Sequence, residues 1–227
     1  MINDIEIDVI ILSLKVAAIA SFIAFPISFL LGYLMARKDF VGKSVVESVI
    51  ALPLVMPPVT TGYLLLILFG ANSMLGGWLY GIFGIRISFT FWAAVLASVI
   101  VSLPLVVRSI RTGIEMIDTG LEEASMILGV SKWKTIWKVT IPLSMPGIMA
   151  GWILGFARSL GEFGATITFA GNIEGETRTL PLAIYTLMQS PGKEDSTWRL
   201  VVFSIVISLI AMIVSEWYLR RKRYDRN

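Results

Sequence analysis

Long apolar runs alternate with short charged segments along the chain, and the runs have the length scale of a lipid bilayer. Residues 9–36 are apolar apart from Lys15. At about 1.5 Å per residue such a helix exceeds the roughly 30 Å of a hydrocarbon core. Lys15 lies near one end of the run, from which its stem can carry the amine to the headgroups. Pro26 predicts a kink, tolerable where neighbouring helices satisfy the carbonyl it frees. After a polar loop with Arg37, Lys38, Asp39 and Lys43, residues 48–85 carry no charge. This stretch predicts one span at 49–69, with Leu52-Pro53 and Met56-Pro57-Pro58 breaking its start. Gly70, Asn72, Gly76 and Gly77 then predict a glycine-rich loop outside the cytoplasm, with Trp78 and Tyr80 at the interface.

The second half repeats the alternation. Residues 88–107 predict a third span, with Pro104 near its end and Arg108 and Arg111 just beyond. A fourth is expected at 139–160, where Gly147, Gly151, Gly155 and Ser159 put a small residue at every fourth position. Such a ridge admits close approach of another backbone, either within the chain or across a two-fold axis. Residues 163–189 are weakly amphipathic, hold Glu174, Glu176 and Arg178, and are too short for two spans. They are expected to be irregular or partly re-entrant, and therefore buried in protein or lining a cavity. The last span is expected at 200–219, followed by Arg220, Arg221, Lys222, Arg223 and Arg226.

Basic residues set the topology. They gather at 37–47, at 108–138 and in the tail, whereas Asp4, Glu6 and Asp8 make the N-terminus acidic. Five spans place all three basic clusters in the cytoplasm, with the N-terminus outside and the C-terminus inside. The expected fold class is thus an all-α polytopic membrane protein, one domain over 1–227. With 56% hydrophobic and 15% charged residues and a mean hydropathy of +0.80, the composition agrees. The acidic start is unlike a signal peptide, so the first span is expected to direct its own insertion. The chain has neither cysteine nor histidine, which excludes disulfides, thiol chemistry, haem ligation and histidine-based metal sites. No cofactor and no metal are expected. The net charge of +3 sits in loops flanking apolar runs, where it reads as a membrane signal and lipid contact rather than a nucleic-acid surface. Gly42-Lys43-Ser44 ends like a phosphate-binding loop, but Arg37 stands where the first glycine belongs and no strand precedes it.

The longest polar-rich stretch is a hairpin at 118–138 that runs on to Pro146. Thr119 with Glu122 three residues later predicts a capping box, and a helix at 120–128 would end at Gly129 in a left-handed cap. Ser131 would cap a second helix on which Trp133, Ile136 and Trp137 share one face. That helix is expected to lie on the membrane surface and to turn into the next span at Ile141-Pro142. Glu122 and Glu123 are expected on the exposed side of the first helix. The physics alone leaves two readings, an amphipathic linker and a dock for a partner protein.

Glu123-Ala124-Ser125, then Gly129, then Val139, Ile141 and Pro142 resemble the EAA loop of ABC-importer permeases. That pattern is E-A-A, three residues, G, nine residues, I-x-L-P. The spacing fits throughout, and Ser125, Val139 and Ile141 depart conservatively from it. The resemblance implies the fold of a type I ABC importer transmembrane domain, of about five spans with an amphipathic cytoplasmic coupling helix. It implies that Glu122, Glu123, Ala124, Ser125, Gly129 and Pro142 couple to an ATPase by placing a helix in its groove. The partners implied are a second copy of the chain, a cytoplasmic ATP-binding subunit dimer and an extracytoplasmic oxyanion-binding protein, at the inner membrane. ATP hydrolysis would belong to the partner, not to this chain. The run 156–185, FARSLGEFGATITFAGNIEGETRTLPLAIY, and LPLVMPP at 52–58 resemble molybdate permeases. Sulfate permeases share the GEFGA and GN parts, so molybdate is the substrate implied first, with tungstate and sulfate open. Arg158 and Glu162, spaced i, i+4, are a candidate ion pair: either a helix-end pair or the lining of an anion exit in which Arg158 is neutralised so that it does not trap the anion. A rival reading makes the pair the ion site of a stand-alone secondary transporter, a class that often carries internal repeats. The halves of this chain show none.

Overall fold

The structure is a computed structural model that describes the backbone of residues 3–224 and side chains to Trp217, Ser215 excepted. The described residues are helical, with no strand among them. In chain order the helices are α1 (Asp4–Arg37), α2 (Lys43–Val55), α3 (Pro58–Phe69), α4 (Met74–Phe83), α5 (Phe91–Glu115), α6 (Thr119–Ile127), α7 (Lys132–Leu160), α8 (Gly164–Phe169), α9 (Leu180–Met188) and α10 (Glu194–Tyr224). Among the described residues, α1, α5, α7 and α10 (to Val214) are each long and apolar enough to cross a membrane; α2 and α3 make a fifth crossing if they count as one broken span.

The core is the contact of α1, α5 and α7. Lipid is as apolar as leucine, so helices in a bilayer gain by close backbone approach rather than by hiding apolar surface. The contact faces are accordingly built from small residues. Ala17, Ala20 and Ala24 of α1 and Ala93, Ala94 and Ala97 of α5 are fully buried. The glycine ridge of α7 packs inside the chain, against α5. A Cβ on Gly147 would stand 2.7 Å from the Gly113 Cα, and one on Gly155 2.5 Å from a Val106 methyl. Ser109 completes the contact by donating to the Gly147 carbonyl at 3.0 Å. Of the two places open to this ridge, the structure chooses the intrachain one.

Several elements differ from the sequence expectation. The span expected at 49–69 is two helices bent by 113° at Met56-Pro57. Adjacent prolines explain the break: Pro57 forces Met56 out of the helical region (ψ 148°), and Pro58 restarts the chain as the first residue of α3. The loop expected after it holds a helix, α4, because Ser73 accepts a bond from the Gly76 amide at 2.9 Å and starts a turn despite the glycines. Helix α5 runs on past 107 to Glu115, with Arg108 and Arg111 inside it. Pro26 lies within α1 with helix on both sides. The basic tail, Arg220 to Arg223 and Arg226, lies outside the residues whose side chains are described.

Residues 163–189 form two short helices and a tight connection. At six and nine residues, α8 and α9 are each too short to cross a bilayer, which takes about 20. Helix α8 is pressed into α3: a Cβ on Gly62 would meet the Ala165 carbonyl at 2.6 Å, and one on Gly164 would meet Pro58 at 2.7 Å. Helix α9 is tied to α1, since the Leu180 amide donates to the Ser13 hydroxyl at 2.6 Å.

The α5–α7 contact predicts that Gly147→Val, which drives a branched side chain into the Gly113 backbone, lowers stability by about 1–3 kcal/mol or more. Gly81→Ala changes a site within α4 that has open space around it and ordinary helical backbone. A melting curve of the detergent-purified protein should show a clear drop for the first and no drop for the second.

Candidate functional site

The hairpin hangs from the ends of α5 and α7, and its geometry begins with a cap. Asp118, not a Thr119/Glu122 box, starts α6: its carboxylate accepts from the Gly120 amide at 2.8 Å. This corrects the expected capping box and releases Glu122 for another task. The end of α6 is a Schellman motif. The Gly129 amide reaches the Met126 carbonyl at 3.0 Å and the Val130 amide reaches the Ser125 carbonyl at 3.2 Å, with Gly129 at φ +83°. Nothing crowds a Cβ at 129, so the backbone angle alone calls for glycine there.

Glu122 turns inward. Its side chain is only 12% exposed and pairs with Arg37, Nε to Oε2 at 3.0 Å. The second guanidinium nitrogen donates to Oε1 at 3.3 Å and to the Ile117 carbonyl at 3.1 Å. The Thr140 hydroxyl adds a bond to Oε1 at 2.7 Å. The expectation that Glu122 is exposed is therefore overturned. Helix α6 lies across the ends of α1 and α7, and the face that carries Glu122 looks at both. Ser125 also faces inward, 3.1 Å from the Thr135 hydroxyl. Glu123 and Ala124 stay exposed, together with Leu121, Met126, Ile127 and Leu128. One helix thus presents a polar face to its own bundle and an apolar face, edged by one carboxylate, to the outside.

Beyond Gly129 the chain does not turn at Ile141-Pro142. Residues Lys132–Leu160 are one continuous helix. A π-turn at Ile136–Thr140 sits in it, marked by the Ile141 amide bonding the Ile136 carbonyl five residues back. Pro142 has no amide to offer, and one wide turn ahead of it lets the helix pass without a break. The expected shared face of Trp133, Ile136 and Trp137 also divides. The two tryptophans are exposed, whereas Ile136 is buried with Thr135 and Thr140. Among the described residues Ser131 stands at the N-cap without a side-chain cap bond.

A second polar node braces α2. Arg111 on α5 pairs with Glu47 at 2.8 Å and with Glu115 at 2.6 Å. At the start of α2, Lys43 donates to Asp39 at 2.9 Å and holds that exposed carboxyl below its usual range. The parts played by Arg37, Thr140, Glu47 and Arg111 are not marked in the sequence. The partners that Arg37, Glu47 and Arg111 take across the fold are dozens of residues away, and no local spacing announces them.

These features belong to a recognised group. Residues 28–224 match the family described as the binding-protein-dependent transport system inner membrane component. The chain belongs to this family. It is 51% identical over 216 residues to the molybdenum transport system permease protein ModB of Haemophilus influenzae, covering 95% of this chain and 94% of that protein. With the ModB protein of Escherichia coli K12 it shares 46% over 223 residues, 98% of this chain and 97% of that one. It also superposes, with a TM-score of 0.75, on a bacterial ABC transporter involved in the import of the acidic polysaccharide alginate, at 16% identity over 97% of this chain and 80% of the other. That last likeness concerns the fold alone, and the fold is that of a type I ABC importer transmembrane domain.

In this permease Arg158 and Glu162 do pair, Nη1 to Oε2 at 2.8 Å. They do not share a helix, because α7 stops at Leu160 and Glu162 lies in the break before α8. Glu162 is 2% exposed, and its other oxygen accepts from the Ala165 amide at 2.8 Å, so it caps α8. The connection from α8 to α9 is held by Arg178, which donates to Asn172 at 3.0 Å and pairs with Glu174 at 2.9 Å.

Two variants separate the cap from the charge. Glu162→Gln keeps an acceptor for Ala165, whereas Glu162→Ala leaves a buried amide unpaired, at a cost of about 1–3 kcal/mol. Thermal unfolding in detergent should rank wild type first, then the Gln variant, with the Ala variant clearly last.

Proposed function

We propose that this chain, 1–227, is one transmembrane domain and the permease subunit of an ATP-driven molybdate importer. The observation that carries the reading is the outward face of α6, where Glu123, Ala124 and an apolar edge of Leu121, Met126, Ile127 and Leu128 stand exposed beside the Gly129 joint. An amphipathic helix offered to the cytoplasm fits a groove in a partner. In this reading the partner is a separate cytoplasmic ATPase, which supplies the hydrolysis. The 51% identity to a molybdenum permease over nearly all of both chains supports molybdate as the cargo.

The movement follows from rigidity. When two ATPase subunits close on ATP, each draws one α6 with it. Helix α7 continues from the hairpin through the membrane with no joint in 29 residues, so displacement at Lys132 reaches Leu160. Two copies of the chain would enclose the pathway between them. Val45, Val49, Val55, Val59, Tyr63 and Ile67 of α2 and α3 are exposed and apolar, and they support that pairing. The N-terminus lies outside and the C-terminus inside, as the basic clusters require. Arg158, already paired with Glu162, offers a passing oxyanion only a weakened charge, in keeping with the need to release what is carried. An extracytoplasmic binding protein would deliver the anion to the outer loops.

The test is uptake of labelled molybdate by cells whose only high-affinity system is this importer. Unlabelled molybdate and tungstate should compete and sulfate should not; full competition by sulfate alone would reassign the cargo. Pull-down of the ATPase should weaken by at least about tenfold, or 1.4 kcal/mol, with Glu123→Lys, while membrane insertion persists. Retained association and uptake in that variant would rule out this face as the dock.

A further inference from the structure

How α6 is held raises a question that its outer face does not answer. None of its described residues is buried, so packing does not fix it to the bundle. Its covalent ends are a short turn from α5 and the Gly129 joint. What remains is polar and centres on one side chain. Glu122 takes three hydrogen bonds, two from Arg37 and one from Thr140, and Ser125–Thr135 supplies the fourth tie. Arg37 is the last residue of α1, lies 85 positions from Glu122, and also grips the Ile117 carbonyl at the entrance to the hairpin. Thr140 sits in the π-turn at the root of α7.

We infer that Glu122 is a positioning residue for transport: it latches α6 to α1 through Arg37 and to α7 through Thr140, so that a pull on the outer face moves both spans together. This inference rests on the transport reading above, and it assigns Glu122 a task different from docking. The carboxylate faces the bundle and is shielded, whereas the ATPase would meet Glu123 and its apolar neighbours. An ion pair of this kind is suited to the work. Two charges with 11% and 12% exposed side chains interact more strongly than a solvated surface pair, and a guanidinium shared between a carboxylate and a carbonyl resists shear in two directions. Breaking the latch leaves the ATPase a helix to hold, but one that swings without carrying α1.

The experiment uses the complete importer in proteoliposomes, measuring ATP hydrolysis and molybdate uptake in parallel for wild type, Glu122→Gln, Arg37→Met and the double variant. ATPase association should stay within about twofold, and molybdate moved per ATP should fall about tenfold in each single variant, within the range of known coupling energies. Because the two side chains act as one device, the double variant should be no worse than either single. Arg37→Lys, which keeps the charge and one donor, should recover part of the loss. An unchanged ratio, additive losses, or loss of ATPase association with Glu122→Gln would each overturn the inference. A second measurement does not depend on the cargo. The chain has no cysteine, so spin labels on the two thiols introduced by Lys38→Cys and Ile127→Cys report the α1–α6 distance directly. The distribution should be narrow in the otherwise wild-type permease and broad with Glu122→Gln; equal widths would sink the latch even if another anion proves to be carried.

Discussion

A bilayer takes away the usual reason for helices to pack. Apolar side chains gain little by leaving lipid for protein, so what holds this chain together must come from backbones that approach closely and from polar bonds that lipid cannot offer. Both are visible, and they divide the molecule between them. Along the bundle the α1, α5 and α7 faces are rich in alanine, serine and glycine, and near the end of α5 the Gly113–Gly147 crossing brings two backbones within a side chain's breadth. At the helix ends the work passes to ion pairs. Glu6 at one end of α1 meets Arg199 of α10 at 2.7 Å, and Arg37 at the other meets Glu122. Helix α1 is thus fastened at both ends by charge and along its length by fit.

That division bears on the hairpin. A segment that is neither in lipid nor in a core has only polar bonds to orient it, and α6 is such a segment. Its inner face is spent on Glu122 and Ser125 and its outer face is left free. The same sequence feature, a pair of adjacent glutamates, therefore resolves into two unlike roles. One carboxylate is internal and holds the helix in place; the other looks outward.

How much of this is legible in the sequence depends on the distance over which each signal acts. Apolar length is a one-body property, and it marks most of the membrane helices. The αL glycine at 129 is dictated by its own backbone angle, and its place at the end of a helical pattern gives it away. The chemistry of long-range pairs is another matter. Nothing near Arg37 distinguishes a loop cation from one end of a buried pair, and Glu122 looks like a capping residue because Thr119 stands at the right spacing. Asp118 wins that competition by one position. Prolines tell where the chain breaks at 56–58 but not by how much; beyond the 113° bend, α3 lies close against α8 at Gly62 and Gly164, partners far along the chain. The run through Pro142 misleads for the opposite reason, because the helix widens there rather than stops.

That widening carries an implication for how the chain tolerates change in length. A π-turn is an α-helix with one residue too many, and each residue of a helix accounts for about 100° of rotation. Removing a single residue between Ile136 and Thr140 would restore a regular helix below the membrane surface. Everything ahead of it would then swing about a quarter-turn around the axis of α7. Glu122 would be carried away from Arg37. The extra residue fixes the azimuth of the hairpin, much as a keyway fixes a wheel on its shaft.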